Sequence, residues 1–226
     1  MSEYISFSVT AKVATINIDR PKLRNAFNPE MISCFSQLLD EVTSRDDVKV
    51  LVLRAEGKSF CAGADLNWLK SVKDYSFEEN LADAQELADL MEKLFKLPKP
   101  TIGRIQGDAV GGGAGMVAAL DVVVAAEKAH FSFSEARLGM APSVISPYLM
   151  YRIGPQRCRR LFLTGERINA EEACQMGLVD VVVKEEELDQ LYDFDQQMVR
   201  QVDEIGAAVD AIQSALDSGD STSLPP

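Results

Sequence analysis

Two glycine-bearing segments contain the residues of this chain whose types and spacing could do chemistry. They read SFCAGAD at residues 59–65 and GDAVGGGAG at residues 107–115, and each follows a predicted strand and precedes a predicted helix. Glycine lets the backbone approach a ligand closely, and the first N–H groups of a helix have no partner within the helix. Two such N–H groups aimed at one oxygen would stabilise an oxyanion, with about 3–4 kcal/mol from each donor.

Either segment alone is explained as well or better by a close-packed turn. Neither matches the G-x-G-x-x-G or G-x-x-x-x-G-K-[ST] pattern, so dinucleotide and P-loop sites are not indicated. His130 is the only histidine, which excludes a histidine-based triad and a metal site with several histidines, and we expect no metal. Cys61 has no histidine in its motif to activate it, so we interpret it as a small packing residue.

The elements that must position these segments alternate between strand and helix, which predicts an α/β fold. Residues 4–9 and 12–18 have the apolar–polar alternation of a hairpin, and Asn28 with Pro29 marks the start of a helix that extends to about residue 44. Further strands are predicted at 48–53, 101–106, 121–126 and 179–183. Further helices are predicted at 155–163, 170–176 and 185–216, the last with a break at Gly206.

A capping-box pattern at residues 76–79 predicts another helix, which Pro98 and Pro100 would end. Its apolar residues recur at helical spacing, which favours a core-facing stripe over a ligand site. They are Leu81, Ala84, Ala88, Met91 and Phe95.

The composition indicates one well-packed catalytic domain. Of the 226 residues 46% are apolar, and 23 basic against 35 acidic side chains give a net charge of −12. An acidic surface disfavours nucleic acid and anionic lipid, so we expect neither a nucleic-acid nor a membrane partner. The four cysteines lie far apart, the N-terminus lacks a secretory pattern, and the longest apolar run is too short for a bilayer, which predicts a cytoplasmic protein.

Several motifs together resemble the enoyl-CoA hydratase/isomerase (crotonase) superfamily. They are RPK at 20–22, NAF at 25–27, FCAGAD at 60–65, GGG at 111–113 and FSE at 133–135. Within the superfamily, other segments are similar to bacterial methylglutaconyl-CoA hydratases. These are DLNW at 65–68, YSFEENLADA at 75–84, SEARLG at 134–139 and ISPY at 145–148.

The resemblance implies a crotonase-like spiral of β-β-α units, with the catalytic core at residues 1–184. A helical C-terminal segment would occupy 185–217, shorter than in most relatives, and a disordered tail would occupy 218–226. The resemblance fades after about Glu187. It also implies self-association as a trimer or hexamer.

Carried over residue by residue, the resemblance assigns the oxyanion donors to the N–H groups of Ala64 and Gly112, and acid–base catalysis to Glu135. A helix-terminal or surface acid is the alternative for Glu135. Gly115 stands where many relatives have a second glutamate, so Glu135 would act alone, with its pKa raised in an apolar pocket. The remaining predicted contacts with substrate or coenzyme A are Lys22, Arg24, Ala26, Ala62, Asp65, Leu66, Gly111, Gly115 and Arg137.

Four of these residues are expected to bind particular parts of the substrate. The adenine would meet the backbone near Ala62. Lys22 and Arg24 would contact the phosphates, or be solvated surface cations. Arg137 would pair with a distal carboxylate, or form a structural ion pair. Ser143, Ser146 and Tyr148 stand where a substrate tail would lie.

The implied function is hydration of an acyl-CoA across its 2,3 double bond, a lyase reaction that needs no cofactor beyond the coenzyme A of the substrate. The expected substrate is 3-methylglutaconyl-CoA, which gives 3-hydroxy-3-methylglutaryl-CoA in leucine degradation. Two alternatives stay open at this point. One is an enoyl-CoA double-bond isomerase, and the other is a non-catalytic protein that binds CoA esters.

Overall fold

The computed structural model describes residues 2–188 and 190–218. The predicted tail lies outside these residues, apart from Ser218, which is helical. Among the described residues, the strands are β1 (Ile5–Thr10), β2 (Val13–Ile18), β3 (Val50–Ala55), β4 (Ser59–Cys61), β5 (Thr101–Ile105), β6 (Asp108–Val110), β7 (Val122–Ala126), β8 (His130–Ser132), β9 (Arg167–Asn169) and β10 (Val181–Val183). The helices are α1 (Pro29–Ser44), α2 (Leu66–Val72), α3 (Phe77–Phe95), α4 (Gly112–Ala118), α5 (Ser146–Ile153), α6 (Pro155–Thr164), α7 (Ala170–Met176), α8 (Glu185–Leu188) and α9 (Tyr192–Ser218), with 3-10 turns at Pro21–Leu23 and Glu135–Leu138.

The strands form two sheets. The six-stranded sheet has the order β1-β2-β3-β5-β7-β10, and only the β1–β2 hairpin is antiparallel among its described pairs. The four-stranded sheet has the order β4-β6-β8-β9, with its first three strands parallel. From β3 to β8, successive strands alternate between the two sheets. Helices lie between β2 and β3, between β4 and β5, and between β6 and β7, which confirms the predicted α/β class.

Helix α1 begins as its sequence predicts. The side chain of Asn28 accepts a hydrogen bond of 2.9 Å from the N–H of Met31, and Pro29 stands in the first turn, where its missing N–H costs nothing. One face of the helix is buried in the main core through Met31, Phe35 and Leu39. This burial fixes the chain directly after Phe27, which lines the candidate site.

Helix α3 shows both a correct and a wrong prediction. The capping box of Ser76 and Glu79 is present, with both reciprocal hydrogen bonds. The predicted apolar stripe belongs to the core only near its C-terminal end, at Met91. Leu81 is 57% exposed and Ala84 lines a cavity, because the N-terminal half of α3 lies over an open space.

Helix α9 covers the face of the six-stranded sheet opposite the main core. Val199, with Phe194 and Met198, packs against a small cluster formed by β2, β3 and β5. Arg104 on β5 forms a buried ion pair with Asp195 on α9. Burial raises the pKa of Asp195 to about 6, although the Arg104 guanidinium lowers it.

The predicted break at Gly206 is wrong, because α9 passes through this residue without interruption. Gly206 is exposed, and a glycine in an exposed helix costs only about 1 kcal/mol. Helix α8 ends at Leu188 and α9 begins at Tyr192, with a turn at Gln190 and Leu191 before α9. Within the described part of the chain, no helix combines the length and apolar character that a membrane crossing requires.

Candidate active site

The register of three parallel strands brings the two glycine segments and the acidic motif to one edge of the smaller sheet. Cys61 on β4 pairs with Ala109 on β6, and Ala109 pairs with Phe131 on β8. Ala64 and Gly112 each lie three residues beyond these paired positions, and Glu135 lies three residues beyond Ser132, the last residue of β8. Carboxyl ends of parallel strands are where α/β sheets bind ligands. The fold therefore collects all three predicted catalytic residues at such an edge.

Glycines allow the two segments to pack against each other. Gly63 has a φ of 89°, and a Cβ added to it would lie 3.1 Å from the carbonyl oxygen of Val110. A Cβ on Gly113 would lie 2.6 Å from the Cβ of Cys61, closer than carbon atoms can approach. Cys61 is fully buried, and burial raises the pKa of its thiol to about 12. Its interpretation as a packing residue is confirmed.

A short parallel bridge orients the N–H of Ala64. Phe27 donates its N–H to the carbonyl of Gly63 and accepts from the N–H of Asp65, both at 2.7 Å. Phe27 hydrogen-bonds to the carbonyl of Gly63 and to the N–H of Asp65, which flank Ala64. In a parallel bridge, the N–H of Ala64 therefore points away from Phe27. Ala64 itself lines the main cavity.

Gly112 is the first residue of α4, so its N–H has no partner inside the helix. The preceding Gly111 has a φ of 54°, which favours glycine, and its N–H donates to the carbonyl of Ser132 on β8 at 2.9 Å. This bond ties the second segment to the strand that precedes Glu135. A Cβ on Gly112 itself would meet only the Cδ2 of Phe27, at an ordinary 3.9 Å.

Glu135 places a carboxyl group in the same cavity. Its Oε1 lies 3.0 Å from the point that a Cβ on Gly111 would occupy, so even alanine would crowd it there. Its Oε2 is buried and has no hydrogen-bond partner within the described residues. Burial raises the pKa of Glu135 above its ordinary value of 4.5. A half-buried carboxyl with one buried, unpartnered oxygen is suited to acid–base work on a bound molecule.

No side chain fits at position 115. A Cβ on Gly115 would lie 2.6 Å from the Cβ of Ile145, and closer still to its Cγ2. Ile145 is buried, and it fills the space in which a second glutamate would begin. The sequence analysis missed this contact. A glycine in the middle of a buried helix is the signal that could have indicated close packing there.

The main cavity, called the substrate cavity below, has a volume of about 350 Å³. Ala64, Gly112 and Glu135 all line it. So do Ala62, Leu66 and Gly111 among the predicted contacts, and Ser143 among the residues expected near a substrate tail. One face of α3 forms part of the wall of the substrate cavity, through residues at helical spacing: Asn80, Asp83, Ala84 and Leu87. Asp83 on this face accepts a hydrogen bond from the indole N–H of Trp68 on α2, at 3.2 Å.

The other predicted contacts do not line this cavity. Lys22 and Arg24 are exposed beside the first glycine segment, and the carbonyl of Arg24 accepts from the N–H of Ala62 at 3.0 Å. Ala26 is buried and offers its carbonyl to Arg20. Arg137 is exposed, with its Nε 3.1 Å from the point that a Cβ on Gly165 would occupy.

Asp65 stabilises the start of α2 and does not line the main cavity. It pairs with Arg20 at 2.6 Å and accepts from the N–H of Asn67 at 2.7 Å, which caps α2. Burial would raise the pKa of Asp65, but these partners together lower it. Ser146 and Tyr148 lie on α5, a helix that the sequence analysis did not predict. The Tyr148 ring packs on Phe95 at a centroid distance of 5.2 Å.

Comparison with known proteins agrees with this geometry. The family profile described as Enoyl-CoA hydratase/isomerase matches residues 8–224. The chain is 34% identical to 1,2-epoxyphenylacetyl-CoA isomerase of Escherichia coli, over 88% of this chain and 76% of that protein. It is 35% identical to crotonyl-CoA hydratase of Syntrophomonas wolfei, over 82% of this chain and 71% of that protein.

Solved structures show the same fold. An enoyl-CoA hydratase from Shewanella pealeana superposes with a TM-score of 0.84 at 36% identity, covering 96% of this chain and 85% of that one. The predicted crotonase-like fold is thereby confirmed. The matched part spans 66%, 76% and 63% of the length of three of the curated relatives, so the chain represents about two thirds to three quarters of such proteins.

Proposed function

Because this chain belongs to the enoyl-CoA hydratase/isomerase family, we propose that it adds water across the 2,3 double bond of an acyl-CoA thioester. One observation carries the proposal: the cavity that Ala64 and Gly112 line also receives Glu135, whose buried Oε2 has no partner among the described residues. Two N–H donors and one acid–base group are the parts that addition to an unsaturated thioester needs.

In the proposed reaction, the thioester oxygen accepts hydrogen bonds from the N–H groups of Ala64 and Gly112. Glu135 enters as a carboxylate and takes a proton from water as the water oxygen bonds to Cβ. The electron pair of the double bond moves toward the thioester, giving an enolate whose oxygen charge the two donors stabilise. Glu135 then returns the proton to Cα, so that one water is added and the enzyme is regenerated.

A single carboxyl would perform both proton transfers. Ile145 fills the space beside Gly115, so that position cannot supply a second acid. Burial raises the pKa of Glu135, which makes its protonated form a weaker acid and its ionised form a stronger base than an exposed glutamate. Both protons pass through one carboxyl, so we expect water and hydrogen to add to the same face of the double bond.

For the coenzyme A portion, we propose the exposed cations Lys22 and Arg24 as phosphate partners. Hydrogen bonding between Arg24 and Ala62 supports this, because it holds Arg24 next to the cavity wall. We place the adenine at the backbone of Ala62. Of the other predicted contacts, Leu66 and Gly111 form part of the cavity wall, and Ala26, Asp65 and Gly115 support that wall. Coenzyme A arrives with the substrate, so no separate cofactor is required.

A cytoplasmic location and a trimer or hexamer complete the proposal, and size-exclusion chromatography tests the assembly.

As the physiological substrate we propose 3-methylglutaconyl-CoA, hydrated to 3-hydroxy-3-methylglutaryl-CoA in leucine degradation. The motifs at residues 65–68, 75–84, 134–139 and 145–148 support this choice through their similarity to methylglutaconyl-CoA hydratases. Among the described lining residues of the cavity there is no lysine or arginine for the distal carboxylate. The assay therefore includes linear and branched neutral enoyl-CoAs of similar length beside the dicarboxylic one.

Isomerisation is the second candidate, and the single carboxyl favours it specifically. A lone Glu135 could move one proton between Cα and Cγ of a 3-enoyl-CoA without adding water. Incubation with 2-enoyl and 3-enoyl thioesters, followed by mass spectrometry, separates the two reactions. Hydration raises the product mass by one water, whereas isomerisation leaves the mass unchanged.

The decisive variant is Glu135→Gln, with Glu127→Gln as the matched control at an exposed glutamate outside the cavity. Loss of general acid–base catalysis typically costs about 100- to 10,000-fold in rate. We expect a loss of that size for Glu135→Gln and wild-type turnover for the control, with both variants folded by circular dichroism. Near-normal hydration by Glu135→Gln would refute the proposed mechanism.

A further inference from the structure

A second cavity lies on the other side of α2 from the substrate cavity. Leu66, Leu69 and Val72 on one face of α2 line the substrate cavity, whereas Asn67 and Ser71 on the opposite face line the second cavity. Among the described residues, Trp68 is the one that lines both. The short helix and this side chain therefore form the partition between the two spaces.

The indole of Trp68 is held in a defined position. Its Nε1–H donates to Oδ1 of Asp83 on α3, at 3.2 Å, which links the two helices across the wall of the substrate cavity. The ring also packs against the edge of the main hydrophobic core, and the residue is half-buried. A large rigid side chain with its polar atom satisfied is a stable wall rather than a mobile one.

The two cavities differ in chemistry. The substrate cavity has mainly apolar walls near Trp68, including Leu69, Val72 and Leu87. The second cavity is bordered by the Arg20–Asp65 ion pair. Binding of an apolar chain is favourable along the apolar walls of the substrate cavity and unfavourable beside the buried ion pair of the second cavity. The position of the indole therefore divides space that suits an acyl chain from space that does not.

We propose that Trp68, held by Asp83, sets the maximum length of the acyl chain that this protein binds. The inference rests on the proposed function in that it takes an acyl-CoA thioester as the ligand. In this arrangement Trp68 is a specificity-determining residue that meets the end of the chain, and Asp83 is a positioning residue that acts through the indole. Neither takes part in the proton transfers assigned to Glu135.

The test measures binding of saturated acyl-CoAs, which cannot be hydrated, by isothermal titration calorimetry from butyryl-CoA to dodecanoyl-CoA. Each methylene buried in an apolar wall contributes about 0.8 kcal/mol, or about fourfold in affinity. In the wild type, we expect this gain to stop, and then reverse, at the chain length that reaches Trp68. In Trp68→Ala, we expect the fourfold gain per methylene to continue for further methylenes.

Three variants separate the proposed role from general damage. Asp83→Asn keeps an oxygen that accepts from the indole, so its length profile should match the wild type. Asp83→Ala frees the indole, and its profile should extend toward that of Trp68→Ala. Tyr75→Ala enlarges only the second cavity, so it should leave the length limit unchanged.

Parallel length profiles for the wild type and Trp68→Ala, with both proteins folded, would overturn the inference. The same would follow if Tyr75→Ala moved the limit as far as Trp68→Ala does. Failure of the proposed function would look different, because the binding limit would shift as expected while wild-type protein left every 2-enoyl-CoA unhydrated. Absence of any acyl-CoA binding by the wild type would overturn both.

Discussion

Replacement of Gly112 by proline would remove one backbone donor from the candidate oxyanion site while leaving its helix intact. Proline is tolerated at the first position of a helix, because the N–H that it lacks has no partner there. Gly112 is that residue in α4. Proline also requires the preceding residue to avoid a helical ψ, and Gly111 meets this condition with a ψ of −123°. The new side chain has room, since a Cβ at 112 would contact only Phe27, at 3.9 Å.

The expected loss follows from the work assigned to the N–H group. Removal of one oxyanion donor typically lowers kcat by about 100- to 1,000-fold, equivalent to about 3–4 kcal/mol. The Cδ of proline would also occupy the place of the lost hydrogen, so the thioester oxygen could not move closer to Ala64 to compensate. We therefore expect a loss at the upper end of this range.

The assay compares hydration rates of the wild type, Gly112→Pro and Gly112→Ala with a 2-enoyl-CoA. Gly112→Ala is the matched control, because it adds the Cβ and keeps the N–H, and we expect it to stay within about tenfold of the wild type. Free coenzyme A has no thioester, so all three proteins should bind it equally. If Gly112→Pro were folded and retained more than about a tenth of the wild-type kcat, the assignment of this N–H as an oxyanion donor would be refuted.

Two further predictions concern Glu135 and Gly115. Because the pKa of Glu135 is raised, log kcat/KM should begin to fall on acidification at a pH above 4.5. The native state binds this proton more tightly than the unfolded state, so the free energy of unfolding should fall as pH rises from 4.5 toward the native pKa. Glu135→Gln should therefore be at least as stable as the wild type in urea at neutral pH, and a marked loss of stability would contradict this. Gly115→Ala should destabilise the fold by about 1–3 kcal/mol through its clash with Ile145, more than the roughly 1 kcal/mol that alanine gains in a helix. Ile145→Ala also costs stability, because Ile145 is buried, but the loss in the double variant should be smaller than the sum of the two single losses. Additivity within about 0.5 kcal/mol would show that the two residues are not in contact.

Local signals in the sequence predicted much of the fold, because the forces involved are local. The Asn28 cap and the Ser76 capping box depend on hydrogen bonds over three residues, and both are present. The two glycine segments were predicted to lead from a strand into a helix, and they lie between β4 and α2 and between β6 and α4. Helices were predicted correctly where capping residues mark where the helix begins or ends.

The parts that the sequence could not supply depend on long-range packing. Ile145 lies 30 residues from Gly115 along the chain, and nothing local links them. The hydrogen bond between Trp68 and Asp83 joins two helices whose relative position only the folded core determines. The stripe on α3 has the same periodicity whether it faces core or cavity, so Ala84 was misassigned. Helical spacing indicates that a face is covered, but not by what.

Gly113, packed against Cys61, makes the second glycine segment part of the hydrophobic core, whereas the α2 and α3 walls of the cavity lie at the periphery. These two regions should respond to random mutation in opposite ways. A change near Gly113 disturbs the packing of the core, so most variants there would be lost as misfolded protein before their chemistry mattered. With the proposed ligand, a change on α2 or α3 would alter which thioester fits and leave the two glycine segments untouched. Sequence drift in this architecture should therefore produce new substrates far more readily than new reactions.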